Sequence, residues 1–438
     1  MGIKVTKFGG SSVADAIQIG KIREIIESDA DRKYVIVSAP GKRFDQDSKI
    51  TDLLYSCMMH KEHNLPFDQL FQVICDRFKV AEINLNVDAG LSEECDIIKK
   101  TIEEGTTKDY IASRGEYLNA KLIAKYLGMD FVDAAGLVQF DEKGRFLEEA
   151  TNEALAAELA KHEKAVLPGF YGTKPDGSIK TFSRGGSDIT GAIVARAVGA
   201  DVYENWTDVS GFLVADPRIV ENPEPIETIS YKELRELSYM GASVLHEDAI
   251  YPARIANIPI NIRNTNEPED QGTMILAEPE NVEQRVITGI AGSKDFTVIA
   301  LYKNRLSSER GFIRRLAGIL EDMDITLEHM PSGIDTISVI VSNESVDGRI
   351  DELVEEFERQ LKPDNLEVFD NMALIATVGC GMAYKTGVSA NLFKALADAG
   401  VNIRMIDQGS SEMNIIVGVE NKDFEKSIKA IYNAFIEK

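Results

Sequence analysis

The chain has 438 residues, more than one ordinary domain holds, and its 44% hydrophobic content suits packed cores rather than a disordered linker. A formal net charge of −24 at pH 7 argues against a nucleic-acid groove or an anionic membrane surface as partner. An anionic substrate must therefore be met by local cations, which directs attention to Lys and Arg residues in glycine-rich loops.

The four cysteines, Cys57, Cys75, Cys95 and Cys380, show no CxxC spacing and no nearby histidine, and read as reduced thiols of a cytosolic protein. The five histidines are scattered, so no metal site is expected. No apolar run approaches the roughly 20 residues of a membrane span. The N-terminus turns into a strand-and-loop pattern too early for a signal peptide, and a cytoplasmic location is expected.

In chain order, Ile3–Phe8 reads as a strand, and Val13, Ile17, Ile22 and Ile25 then recur at helical spacing. Tyr34–Ser38 is the next strand, ending in the turn Ala39-Pro40-Gly41. Ala165–Tyr171, Val202–Asn205 and Ile258–Ile262 look like buried strands with helices between them. Strand–helix alternation predicts an α/β fold with a mainly parallel sheet covered on both faces, and ligands at the carboxyl ends of its strands. A polar, Pro/Glu-rich stretch over 264–285 marks a boundary. Beyond it lies an internal repeat at an offset of 76 residues (Val298 to Leu374), in which Gly311 matches Gly387, Leu316 matches Leu392 and Gly333 matches Gly409.

The first copy reads strand 296–303, helix 310–323, strands 325–331 and 336–342, helix 344–361 and strand 366–370, a ferredoxin-like βαββαβ unit. The second copy lacks its final strand, which leaves an open sheet edge. The apolar run 286–291 can fill it, so that copy one is inserted between the pieces of copy two; two independent repeats, the last strand simply absent, is the other reading. The expected domains are 1–284, 296–370 and 371–438, with 286–291 completing the last.

Four loops carry chemistry. Lys7-Phe8-Gly9-Gly10-Ser11-Ser12 joins the first strand to the first helix; its glycines let backbone approach a ligand, and Lys7 adds a charge where helix N–H groups favour an anion. It is not a Walker motif, since GxxxxGK[ST] is absent. Phe182-Ser183-Arg184-Gly185-Gly186-Ser187-Asp188 repeats the design, and Arg184 suits bidentate capture of a carboxylate. Trp206-Thr207-Asp208-Val209-Ser210-Gly211, with Ala215-Asp216-Pro217-Arg218 after it, follows a strand. Ser113-Arg114-Gly115-Glu116 opens a helix. Each alone reads equally well as a capped, solvated turn; four together at strand ends and helix starts do not.

KFGGSS, SRGE, FSRGGSD, TDVSG…ADPR and NIRMIDQGSS together resemble the aspartokinase family over essentially the whole chain. The resemblance implies an amino-acid-kinase domain followed by two intertwined ACT domains, and transfer of the ATP γ-phosphoryl group to the side-chain carboxylate of L-aspartate with Mg2+. It implies that Lys7, with Gly9, Gly10 and Ser11, holds the phosphoryl group and that Asp188 orients Lys7. Arg184 clamps the α-carboxylate of aspartate and Glu116 takes its ammonium, while Ser38, Thr51 and Ser187 line that site. Thr207, Asp208 and Arg218 match the nucleotide side. Leu213 stands where many relatives carry tyrosine, Ser243 where they often have lysine, and Glu247 where they often have proline. The chemistry fits the residues: a carboxylate with a pKa of about 3.9 is about 0.1% protonated at pH 7, so no general base is needed and none is evident.

Another amino-acid kinase of the same fold, or a non-catalytic amino-acid sensor, are the competing readings; no dehydrogenase domain is expected after Lys438. Assembly into a dimer or tetramer through the ACT domains is expected. In copy one, Glu328 matches Arg404 of copy two, and Asp335 matches Ser411. A lysine effector needs its ammonium paired, so copy one is the expected host, with Phe312, Ile313, Glu328, Ser332 and Asp335 as contacts. The other reading leaves Glu328 and Asp335 as exposed strand-edge charges.

Overall fold

Lys4–Phe8, buried on both faces after its first residue, is a central strand of an eight-stranded sheet. The computed structural model describes residues 2–183, 185–241, 245, 247–279 and 285–436, the side chains of Glu247 and Asp248 excepted. The sheet runs Thr228–Ser230, Thr273–Leu276, Ile260–Asn264, Val202–Thr207, Lys4–Phe8, Arg32–Val37, Ala165–Pro168, Asp130–Phe131. Its neighbours pair in parallel except Ile260–Asn264 with Thr273–Leu276. From Lys4–Phe8 the chain goes outward on one side through Arg32–Val37, then returns on the other at Val202–Thr207. That reversal opens a crevice at the carboxyl ends of these strands, where α/β sheets bind ligands.

Four helices, Ile50–Glu62, Asp68–Leu85, Leu91–Glu104 and Lys108–Leu127, lie between the second and third strands in sequence. Their apolar faces (Leu54, Phe71, Phe78, Ile98, Leu118) share one core with Phe8, Val35 and Trp206 of the sheet. Ser113–Glu116 does not open its helix as expected. Thr107 caps at the residue before Lys108, its hydroxyl accepting from the Tyr110 N–H at 3.2 Å, which places the motif in the second and third turns. The predicted strand 165–171 stops at Pro168 and resumes at Tyr171–Thr173, because Phe170 takes a left-handed φ of 82° between them.

The first unit holds 2–212, 225–231 and 245–279; the second holds 213–224, 232–241 and 285–436. Two segments grouped by sequence with the N-terminal region therefore belong by their packing to the second unit. There, two 14-residue strands, Gly289–Tyr302 and Asn365–Val378, pair antiparallel from Gly289↔Val378 to Tyr302↔Asn365. The sheet order is Thr336–Ser342, Gly289–Tyr302, Asn365–Val378, Asn414–Glu420, Met405–Asp407. Residues 289–293, reached from the apolar run 286–291, thus lie beside Leu374–Val378 of copy two.

The predicted strand 325–331 reduces to bridges at His329↔Ile340 and Ser332↔Ile337, with Pro331 between them lacking an N–H for the ladder. The predicted helix 344–361 splits into Asn343–Val346 and Ile350–Leu361, because Asp347 (φ 47°) and Gly348 (φ 75°) turn left-handed. Copy one packs Phe312, Leu316, Ile319 and Phe357 against Ile299, Val339 and Val341 of its strands. Among the described residues no helix is long and apolar enough to cross a membrane.

Candidate active site

At the crevice, Lys7 sits in the middle strand opposite Ile36 on one side and Asn205 on the other. Lys7 is only 7% exposed, and its ammonium meets the Asp188 carboxylate at 2.6 Å. Asp188 lies in the first turn of the helix Gly186–Val198, which starts after Gly185 in a left-handed conformation (φ 57°). The same carboxylate oxygen accepts from the Asn205 amide at 2.8 Å, and the Asp188 carbonyl accepts from the Tyr203 hydroxyl. Asn205 was missed as a site residue; its signal was its place at the end of a predicted strand beside the loop.

The loop after Lys7 is held backbone to backbone. The Gly9 N–H donates to the Trp206 carbonyl at 3.0 Å, and the Gly41 N–H donates to the Gly10 carbonyl at 2.8 Å. A Cβ on Gly41 would lie 2.7 Å from the Gly10 carbonyl, so the two loops cannot admit a side chain there. A Cβ on Gly9 would lie 3.5 Å from the Lys7 ammonium, so the glycine leaves bare backbone beside the charge. Ser11 opens a short 3-10 turn, and the Ser12 hydroxyl shares a buried hydrogen bond with Thr265 at 2.7 Å. The Thr265 N–H in turn donates to the Thr207 carbonyl, tying the strand end that bears Thr207 and Asp208 to the glycine loop.

Ser38 follows the second strand, its N–H on the Phe8 carbonyl, its own carbonyl accepting from the Asn119 amide at 2.7 Å. Thr51 is half-buried in the first turn of Ile50–Glu62. Ser187 is buried beneath the end of the strand Ala165–Pro168; a Cβ on Gly169 would come within 2.7 Å of it. Glu116 is 6% exposed, and its Oε2 has no hydrogen-bond partner. Burial pushes its carboxyl up to about 8, against the pull of the Ala39 N–H, its own N–H and Arg114. A buried, half-satisfied acid is costly unless something cationic completes it. Arg184 lies outside the described residues, as do Ser243, His246 and the side chain of Glu247.

The arrangement is a cation and bare backbone N–H groups at a sheet switch point, with an acid poised nearby, and its relatives are consistent. Residues 2–264 match the amino acid kinase family, and 375–435 match the ACT domain. Aspartokinase 3 of Bacillus subtilis is 38% identical over 99% of this chain and 98% of its own. The chain belongs to the aspartokinase family. A crystal structure of the Clostridium acetobutylicum aspartate kinase is 54% identical, covers 99% of this chain and 100% of that one, and superposes with a TM-score of 0.93. Escherichia coli aspartokinase III, solved with lysine and aspartate in its T state, shares the fold at 24% identity and a TM-score of 0.77, over 99% of each chain. The chain is accordingly an aspartate kinase, with ACT-type repeats in its second unit.

Not every site residue inferred for this aspartokinase falls in one cluster. Leu213 and Arg218 belong to the second unit; the Arg218 side chain is 88% exposed and its guanidinium is taken by Asp216, two residues back, at 2.6 Å. The five effector residues differ in burial and in their partners. Phe312 is buried in the core of copy one, whereas Ile313 beside it is exposed. Glu328 accepts from the Tyr239 hydroxyl, and Asp335 accepts from the Arg305 N–H at 2.8 Å. Ser332 is exposed and itself forms the second bridge, with Ile337.

Proposed function

We propose that this enzyme transfers the γ-phosphoryl group of ATP to the side-chain carboxylate of L-aspartate, giving 4-phospho-L-aspartate. The observation that carries the reading is the buried Lys7–Asp188–Asn205 cluster beside the Gly9–Gly10 backbone. Asp188 and Asn205 fix the ammonium, so Lys7 meets developing negative charge on the transferring phosphoryl group without reorganising. The nucleophile is already ionised and needs no base, so positioning and charge neutralisation suffice. Glu116 would receive the substrate ammonium with its unpartnered oxygen, and Arg184 the α-carboxylate; Ser38, Thr51 and Ser187 line the same pocket. Magnesium usually rests on phosphate oxygens, water and one or two carboxylates, and Asp208, exposed after the strand end on the nucleotide side, would be a carboxylate to hold it. A hydroxamate assay for acyl phosphate, with aspartate and MgATP, tests the reading; no product, or product with glutamate at equal rate, would refute it.

Feedback by lysine belongs to the same reading, as do a cytoplasmic location and assembly through the C-terminal repeats. Copy one places two carboxylates, Glu328 and Asp335, where copy two has Arg404 and Ser411. The E. coli relative was solved with lysine bound, though at its identity it supports the fold alone. Adding lysine, threonine or methionine to the assay decides: inhibition by lysine, relieved in Glu328→Ala or Asp335→Ala, is expected. Inhibition by threonine instead would remove lysine as the effector.

A further inference from the structure

The helix Asp68–Leu85 carries none of the motifs, yet one of its side chains reaches both loops of the proposed phosphate site. Arg77 is nearly buried, 7% exposed at its side chain. Its Nη1 donates to the Ser48 carbonyl at 2.6 Å, and its Nη2 donates to the Gly41 carbonyl at 2.8 Å and to the Ala14 carbonyl at 3.5 Å. Asp47 lies 3.6 Å from Nη1 and is gripped by Arg43 through both its side chain and its N–H. Those contacts, led by the Arg43 hydrogen bond, hold the Asp47 carboxyl well below the usual carboxylate range.

Each carbonyl matters for where it sits. Gly41 is the residue whose own N–H closes on Gly10 and whose α-carbon is pressed against that loop. Ala14 directly follows the 3-10 turn that begins at Ser11. Ser48 lies two residues before the helix that bears Thr51, whose first N–H, on Ile50, bonds the Pro40 carbonyl. One planar guanidinium therefore fastens the glycine loop, the loop after Ser38 and the approach to Thr51. A lysine ammonium has three donors but all on one nitrogen at the end of a flexible stem, so it reproduces the reach of the planar fork only in part.

We propose that Arg77 is a positioning residue of the kinase reaction, setting the two loops that cradle the transferring phosphoryl group without touching it. This rests on the phosphate-loop reading above. Displacing such loops by about 1 Å costs on the order of 100-fold in rate.

The test compares Arg77→Met, which keeps bulk and removes every donor, with Arg77→Lys, in the full chain. Amide hydrogen exchange at Gly10–Val13 and Gly41 is read beside kcat and the separate KM values for ATP and aspartate. Exchange should quicken in Arg77→Met, kcat should fall about 30- to 100-fold, and Arg77→Lys should fall between. Millimolar ethylguanidine should restore at least part of the kcat lost in Arg77→Ala, whose shortened side chain leaves it room, an effect that a fold defect alone does not produce. Unchanged exchange would overturn the proposal outright, as would a kcat loss that only tracks lost folded protein, with no rescue. Quickened exchange with kcat within threefold of the parent would show that the loops are held by Arg77 but do not govern the reaction. That result would count against both the proposal and the phosphate-loop reading, whereas an active Lys7→Ala protein would count against that reading alone. Should Arg77→Met not fold, Arg77→Lys carries the same measurements.

Discussion

Two buried carboxylates, one in each unit, are treated in opposite ways. Glu233 of the second unit is 3% exposed, and one of its oxygens accepts from the Thr288 hydroxyl at 2.6 Å and from the Cys380 N–H at 2.8 Å. Farther along the same helix Glu236 accepts from the Asn414 amide at 2.6 Å. Glu116 of the first unit is as deeply buried, yet an oxygen of it lacks any partner and its carboxyl is pushed up to about 8. A protein carries such a group at a cost in stability, and the cost makes sense where a ligand supplies the missing cation. The bonds of Glu233 fit a role in the architecture, and the open oxygen of Glu116 is the one the proposed aspartate ammonium would complete.

The contrast can be broken most sharply at Lys7, the cation of the same crevice. Lys7→Ala should lower turnover by roughly 100- to 1000-fold with little change in unfolding temperature. Near-normal steady-state turnover in that variant would make the crevice a structural feature like the Glu233 cluster. Next, Glu116→Gln should reduce kcat/KM for aspartate about 10- to 100-fold, the worth of a hydrogen bond to a charged group, and leave ATP binding nearly intact. Equal losses for both substrates, measured by separate saturation curves, would deny Glu116 its assigned partner.

A pH profile sharpens the same point. Below about 8 the empty-site Glu116 carboxyl holds a proton, and it must release that proton to pair with an ammonium. The kcat/KM for aspartate should therefore rise about tenfold per pH unit up to about pH 8 and then flatten. Glu116→Gln should abolish that slope, and a wild-type profile already flat from pH 6 would contradict the assignment. The smallest effect belongs to Glu233. Glu233→Ala leaves a buried N–H and hydroxyl short of an acceptor, so chemical denaturation should show a loss of about 1–3 kcal/mol. Its uninhibited turnover should stay close to that of the parent.

The strand–loop pattern of the first unit was legible because the KFGGSS and TDVSG motifs sit where buried strands end. Lys7 and Asp188 were identified from loops that the structure brings together, while Ser38 came only from the family resemblance. Asn205 and Arg77 were not identified: the place of Asn205 at a predicted strand end was a weak signal, and an Arg on an amphipathic helix carries none. Their roles come from tertiary pairing across 17 and 36 residues. The SRGE helix start was misplaced because Thr107, a less conspicuous cap than Ser113, lies one and a half turns earlier. In the second unit the repeat was plain, but the weak strand at 325–331 was not, because Pro331 and the turn after it limit pairing to single bridges. Glu233 gave no signal at all, since its partners lie 55 and 147 residues away.

The two 14-residue strands of the second unit have a consequence for how it comes apart. Gly289–Tyr302 and Asn365–Val378 each run through both repeats, so the two half-sheets share continuous backbone along these two strands. Neither repeat can be excised without cutting a strand that the remaining one needs, and loss of order in one half frays the ladder of the next. Slowly exchanging amides should therefore extend along the whole length of both strands as one cooperative block, with the helices of each repeat opening first. A gene fragment encoding a single repeat would be a poor autonomous module, whereas the pair makes a natural unit for recombination.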